Sequence, residues 1–307
     1  MNSEKISERI SVDVREVTKS FGDFKAVDKL SFQIRSGRVF GFLGPNGAGK
    51  TTTMRMLVGI TIPDEGSIEL FGEKISPKTQ DRIGYLPEER GLYKKARVID
   101  QLRYFAALKG VNGIEANKRI DAWLDRMRLA EWRNKKTSDL SKGMQQKLQF
   151  ISTVIHDPDL LILDEPFSGL DPVNVEFMIE VLDEFRQREK TVIFSTHLME
   201  TAERLCHDIL LINKSKKVLS GSIREIKESF GKHSIIFRGT GADSVLSNKQ
   251  LIEEVTEFPD YLELKPASGV SNREILSALV MAGAEITRFE LKEPSLNDIF
   301  IECVKNE

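Results

Sequence analysis

With 307 residues, 45 of them basic and 47 acidic, the chain has length enough for two domains and no net field that would gather nucleic acid or anionic lipid. Its two cysteines, Cys206 and Cys303, stand far apart in no metal-like or redox-like spacing, which fits a reducing compartment and excludes a disulfide framework. Residues 1–10 carry charges where a secretory leader needs an apolar stretch, and no apolar run approaches the about 20 residues of a membrane span, so the sequence predicts a soluble protein or one held at a membrane by a partner.

Alternating apolar and polar residues predict two half-buried strands first, one with Ile10, Val12 and Val14 on a single face and one with Leu30, Phe32 and Ile34 ahead of the turn Arg35-Ser-Gly37. Phe21, in Ser20-Phe-Gly22, belongs to this β region. Val39-Phe-Gly-Phe-Leu43 differs: it is apolar on both faces and runs into glycine, as a strand covered by helices on both sides does. The loop that follows, Gly44-Pro45-Asn46-Gly47-Ala48-Gly49-Lys50-Thr51, has the fixed glycines, lysine and hydroxyl of a phosphate-binding loop. Its glycines let backbone N–H groups turn inward as an anion nest, and the next helix starts with its positive dipole end at the phosphates. Lys50 is then a point charge for the β and γ groups and Thr51 a hydroxyl for Mg²⁺, with Thr52 placed among the nucleotide contacts.

Ile83-Gly-Tyr-Leu86 reads as another buried strand, with Glu88 just past its end. Helical spacing takes over near 96–136, where Val98, Leu102 and Phe105 make one stripe and Ile120, Trp123, Leu124 and Met127 another, so a helical subdomain of about 96–156 is inserted in an α/β core. Leu140-Ser-Lys-Gly143 opens a helix in which Met144, Leu148, Ile151 and Ile155 share a face. Ser141 and Gly143 thereby lie at its positive end, which can receive phosphate; the other reading of Ser141 is a helix cap alone.

The apolar run 160–163 empties Asp164 and Glu165 at its C-terminal end. Asp164 would hold Mg²⁺, directly or indirectly, and Glu165 would polarise an attacking water; otherwise the two cap the next segment or pair with a surface base. A third buried strand, 192–194, leads to Ser195-Thr-His197. Ligands of open α/β sheets bind beyond the carboxyl ends of the strands, and Gly44, Glu88, Asp164 and His197 each follow such a strand, so one phosphate site accounts for all of them, with His197 at the γ-phosphate. After about residue 220, Ser220-Gly-Ser222 precedes a charged helix at 223–230 and marks a domain boundary. Beyond it, strands at 234–237, 261–264 and 286–291 and helices from near Ser271 and from Ser295, the latter with Asp298 at capping distance, predict a smaller α+β unit.

In order along the chain, the phosphate loop, Leu140-Ser-Lys-Gly-Met144, Leu163-Asp-Glu-Pro166, Ser168-Gly-Leu-Asp171 and His197 make residues 11–220 resemble the ATP-binding subunits of ABC transporters. The resemblance implies an α/β fold, a P-loop NTPase core of ABC ATPase type with an antiparallel β region and a helical subdomain, followed here by a small α+β domain at 221–307. It implies ATP and Mg²⁺, and a head-to-tail pair, a homodimer or one with a paired ABC ATPase. In such a pair Ser141 and Gly143 close on the γ-phosphate held by the other molecule's loop, and 168–171 looks across the interface. Phe21 matches the place where an aromatic ring stacks on adenine, a core position being its alternative reading. Glu88 stands where the family usually has glutamine; it can ligate Mg²⁺ or belong to a solvated acidic loop with Glu89 and Arg90. Lys142 and Met144 stand for glycine and glutamine, so the glutamine's contact to the partner's nucleotide is absent.

These departures, with Gly84-Tyr-Leu-Pro-Glu-Glu-Arg-Gly-Leu-Tyr93, Ser141-Lys-Gly-Met-Gln-Gln-Lys147 and Pro294-Ser-Leu-Asn-Asp-Ile-Phe300, are similar to a branch of bacterial exporter ATPases, those of sodium-extrusion and drug-resistance systems. The implied function is an energy-coupling ATPase, cytoplasmic at the inner face of the cell membrane, whose helical insert docks an integral-membrane permease; the permease chooses the substrate, and nucleic acid is not an expected partner. The C-terminal domain would stabilise the dimer or regulate it. An ABC ATPase acting on nucleic acid or ribosomes would typically carry tandem halves or a long coiled-coil insert, and this chain has one phosphate loop and a short insert. A non-hydrolysing regulator would be expected to have lost Lys50, Glu165 or His197, and all stand.

Overall fold

The computed structural model describes residues 9–89, 91–230 and 234–305; residues 1–8, quoted above for their charge, and Arg90 of the acidic loop lie outside them. From the N-terminus, β1 (Ile10–Phe21) and β2 (Phe24–Arg35) form a hairpin, and β3 (Val39–Leu43) leads through the phosphate loop into α1 (Lys50–Leu57). Next come β4 (Glu65–Leu70), β5 (Glu73–Lys74), the single turn α2 (Pro77–Gln80) and β6 (Ile83–Leu86). The helical segment holds α3 (Val98–Leu108), α4 (Gly113–Arg126), two 3₁₀ turns and α5 (Lys142–Val154). Then follow β7 (Leu160–Leu163), α6 (Pro172–Gln187), β8 (Thr191–Thr196), α7 (Met199–Leu205), β9 (Asp208–Asn213) and β10 (Lys216–Ser222).

Two sheets make this first unit, Met1–Ile223. One is antiparallel, in the order β2-β1-β4-β5; the other runs β10-β9-β3-β8-β7-β6, parallel except for β10 on the outer side of β9. Successive side chains of a strand point to opposite faces, and the inner strands sort their residues accordingly. Phe40, Phe42, Leu160, Ile162 and Ile193 pack with the antiparallel sheet and α1, whereas Val39, Leu161, Leu163, Val192 and Phe194 pack with the helical segment and α6. Both faces being covered, these strands read as unbroken apolar runs. Each fully buried Leu, Ile or Phe contributes about 1.5–3 kcal/mol against exposure, so the centre of this sheet is a rigid base for what its strand ends carry.

The first strand departs from the expected alternation. Ile10 is exposed, and residues 11–14 are all buried. Ser11 makes the second face tolerable, because its Oγ bonds Ser36 Oγ at 2.8 Å and Thr191 Oγ1, at the start of β8, at 3.0 Å. Asp13 accepts from Arg15 Nε and Nη2. Polar residues with local partners can be buried, so the hydrophobic period alone does not report this strand's burial.

In the helical segment Val98, Leu102, Ile120, Leu124 and Met127 are buried, and Trp123 stacks on Phe185 of α6 at 6.0 Å between centroids. The second unit, Arg224–Glu307, follows α8 (Ile223–Phe230) with β11 (Ser234–Thr240), α9 (Asp243–Leu246), β12 (Ile252–Glu257), β13 (Leu262–Pro266), α10 (Asn272–Met281), β14 (Glu285–Lys292) and α11 (Leu296–Lys305). Its antiparallel sheet, β12-β13-β11-β14, buries Ile235, Phe237, Ile252 and Leu264 with Ile275 and Leu279 of α10. Ser271 and Glu274 form a reciprocal capping box at the start of α10, and Ser295 exchanges the same pair of bonds with Asp298 at α11. The strand β12 has no counterpart in the sequence reading: only Ile252 of its six residues is buried, so it carries almost no period-two signal.

Candidate functional site

The loop between β3 and α1 can be built only with glycine at its two ends. Gly44 has φ +147° and Gly49 φ +108°, and a Cβ would stand 2.2 Å from Ile212 O at the first and 2.3 Å from Ala26 O at the second. Backbone can therefore approach backbone closely, and the loop's N–H groups gather at the start of α1, where the helix dipole favours an anion. Lys50 opens that helix, 6% exposed, with Nζ donating to Gly44 O at 2.8 Å and Pro45 O at 3.1 Å. Burial lowers its pKa, while Glu165, Asp164 and Glu88 pull it back up. A cavity of about 490 Å³ beside the loop is lined by Pro45, Asn46, Gly47 and Ala48, with Phe24, Asn213 and Lys214 among the facing residues. Thr51 and Thr52 lie half-buried in the first turn.

The acids meet the loop from β7. Asp164 is fully buried; Ser195 Oγ donates to its Oδ1 at 2.5 Å and accepts from Glu165 N at 2.9 Å, tying the end of β7 to β8. Its other oxygen, Oδ2, is buried without a hydrogen-bond partner. A carboxylate oxygen left so is costly, and a hard, oxygen-seeking cation such as Mg²⁺ would satisfy it, so the donors present fit that ion. Glu165 turns through the left-handed region, φ 47°, which for a non-glycine residue is strain held by its surroundings. Its Oε1 stands 3.1 Å from His197 Nδ1 and 3.9 Å from Lys50 Nζ. Lys50, Glu165 and His197 thus meet at the carboxyl ends of β3, β7 and β8. Glu88, beyond β6, is exposed and close enough for its charge to act on Lys50.

Other predicted residues stand apart from this cluster. Ser141 is the N-cap of α5, accepting from Met144 N at 3.3 Å, and neither it nor Gly143 is hydrogen-bonded to the loop 44–51. Asp171 caps α6 through Asn174 N. Phe21 is 55% exposed, with Lys19 Nζ 5.6 Å from its ring centroid, so it is not a core residue. Its hairpin partner Phe24, 59% exposed, is the aromatic residue that lines the cavity by the loop. Sequence reasoning missed Phe24, although its position two residues beyond Gly22 places it across the turn from Phe21. It also passed over Ser195, visible only as a neighbour of His197.

A buried strand, a glycine-bounded loop, a helix starting at lysine and paired acids on the next strand but one define a P-loop nucleotide hydrolase. Residues 27–168 match the family described as ABC transporter, and residues 221–304 match the C-terminal domain of DrrA1-3-like ATP-binding proteins. The chain is 47% identical over 291 residues, 95% of its length and 97% of the other's, to the uncharacterized ABC transporter ATP-binding protein YhaQ of Bacillus subtilis (strain 168). It is 35% identical over 302 residues to the Nod factor export ATP-binding protein I of Burkholderia pseudomallei (strain 1710b), covering 96% of this chain and 97% of that one. A solved ATP-binding subunit of an ABC transporter superposes with TM-score 0.67 at 28% identity, over 72% of this chain and 93% of that one. The chain belongs to the ATP-binding subunits of ABC transporters, and it is an ATPase with export-type relatives.

Proposed function

We propose that the protein powers an exporter-type membrane permease by binding ATP between two copies, closing on it and reopening when it is hydrolysed. The observation that carries this is the meeting of Lys50, Glu165 and His197 around Glu165 Oε1 beside the unpartnered Asp164 Oδ2. Gly44 to Gly49 cradle the phosphates and Lys50 takes the β and γ groups. Glu165 polarises the attacking water, while His197 holds its carboxylate and reaches the γ-phosphate. Thr51, Asp164 and Glu88 would hold Mg²⁺, which supplies positive charge to the phosphate oxygens as charge develops on them. Phe21 stacks on adenine, its ring exposed at the hairpin tip, with Phe24 paired to it across the turn. Ser141 and Gly143, on a helix end apart from the chain's own loop, serve the γ-phosphate of the second copy.

No helix among the described residues is long and apolar enough to cross a membrane. A groove of about 480 Å³ lies between the helical segment and the sheet, with Ile60, Ile83, Pro87, Leu92, Phe105 and Leu108 in its walls. We place the permease's cytoplasmic helix there and the protein at the inner face of the cell membrane. Glu165→Gln tests the assignment: nucleotide affinity should hold, phosphate release should fall by about 10²–10⁴-fold, and the chain should elute as an ATP-held dimer. Unimpaired hydrolysis in that variant would remove Glu165 from its role.

A further inference from the structure

The strand β6 is the last of its sheet, so one row of its carbonyls has no strand to accept from. In parallel pairing, alternate residues face the neighbour; Arg82 O and Leu86 O are taken by Leu160 N and Asp164 N of the β7 side. The carbonyls of Ile83 and Tyr85 point outward, and α5 meets them, and those of Pro87 and Glu89 just past the strand, with side chains. His156 Nε2, just past the helix, reaches Ile83 O at 3.1 Å, and Thr153 Oγ1 shares its hydrogen between Tyr85 O at 3.3 Å and its own helix. Gln149 Nε2 donates to both Pro87 O at 3.1 Å and Glu89 O at 3.3 Å, the carbonyls on either side of Glu88. Gln149 is 4% exposed, and its Oε1 is buried without a partner, so the two carbonyls alone hold the amide. One turn nearer the start of α5, the buried Gln146 donates to Pro166 O at 3.2 Å, directly after Glu165.

We propose that Gln149 is a positioning residue for Glu88, a clasp through which movement of the helix that starts at Ser141 is delivered to the metal side of the nucleotide site. The proposal rests on the reading of Glu88 as a Mg²⁺ ligand. The physical basis is that a loop held at both flanking carbonyls by one amide moves with that amide, and Gln149 shares a rigid helix with Ser141. Gln146 does the corresponding work for the turn after Glu165, so one helix face holds the backbone beside both acids.

Gln149→Leu, in the full chain, keeps the volume and removes both N–H groups. Its thermal midpoint shows whether it folds, and Gln149→His, which retains a ring N–H, is the second variant. In Gln149→Leu the backbone amides of residues 84–86, 88 and 89 should exchange with deuterium faster than in the wild type. The Mg²⁺ concentration that half-saturates binding of a fluorescent ATP analogue should rise roughly 5- to 10-fold, with affinity in EDTA unchanged and partial recovery in Gln149→His. Glu88→Ala should raise the same Mg²⁺ requirement, and adding Gln149→Leu to it should change nothing more. Wild-type exchange and Mg²⁺ requirement in Gln149→Leu, or full additivity with Glu88→Ala, would overturn the proposal while leaving the metal reading intact. A wild-type Mg²⁺ requirement in Glu88→Ala would remove the metal reading and the proposal with it.

Discussion

At Gly44 and Gly49 the requirement for glycine comes from carbonyls that a Cβ would strike and from φ values that L-residues avoid. Gly47 has φ +80° but nothing within 4 Å of an added Cβ, so its substitution carries strain alone, about 1–2 kcal/mol. Gly44→Ala and Gly49→Ala should therefore lower the thermal midpoint clearly more than Gly47→Ala and weaken ATP binding at least ~10-fold, since the loop must distort as well as strain. Equal loss from all three would mean that contact with Ile212 and Ala26 does not decide the matter. A second residue-scale test concerns His156. Its Nε2 must carry the hydrogen that Ile83 O accepts, which leaves Nδ1 a buried acceptor without a partner. Protonating Nδ1 would bury a charge, and burial first, then Lys109, depresses the pKa from 6.5 to about 4. A folded-state value below the unfolded one means that this contribution is present above pH 6.5 and is lost as pH falls from there through about 4. The stability difference between wild type and His156→Leu, from urea melts, should shrink between pH 7 and pH 4.5; a constant difference would contradict it. The phosphate loop was legible in sequence because its chemistry is a requirement on residue type at fixed spacing. Ser195, Phe24 and Gln149 were not, because each acts through one particular neighbour that only the folded backbone supplies.

Elements differ in how much of themselves they show. The inner strands of the parallel sheet announce burial on both faces through their composition, and α5 shows its apolar stripe through Leu148, Ile151 and Ile155, all buried. Its opposite duty, a polar row against β6, cannot be read from periodicity, because glutamine and threonine on a helix ordinarily signify solvent. The same limit explains β1, where buried Ser11 and Asp13 break the pattern, and β12, whose exposed acids hide it. Because α5 carries Ser141 at one end and Gln146 and Gln149 along its face, its anchorage matters for the site. Phe150 supplies it, fully buried edge-on to Trp123 and Phe185 at 6.1 and 6.3 Å between centroids. Phe150→Ala should cost about 3–5 kcal/mol by urea midpoint, shift Trp123 fluorescence and weaken ATPase activity even where the variant stays folded. Unchanged activity in folded protein would show that α5 can loosen without consequence.

Among the described residues, each unit has apolar clusters of its own. Val14, Phe42, Leu57 and Ile162 belong to a cluster of the first unit, and Ile235, Ile252, Leu264 and Leu279 to one of the second. All the residues assigned to the nucleotide lie in the first unit, Met1–Ile223. A ligand stabilises only the cooperative unit that binds it, by about 2.7 kcal/mol at a hundredfold excess over its dissociation constant. Calorimetry of the full chain should accordingly show two transitions. Saturating Mg-ATP, in the Glu165→Gln variant so that it is not consumed, should raise only one of them. Leu264→Ala, which empties a fully buried position in the second unit's sheet, should lower only the other, by the about 2–5 kcal/mol typical of such a deletion. If ATP and Leu264→Ala instead move a single transition in opposite directions, the two units unfold as one. The nucleotide's stabilisation would then extend to the second unit through that cooperativity, without any contact of its own to the nucleotide.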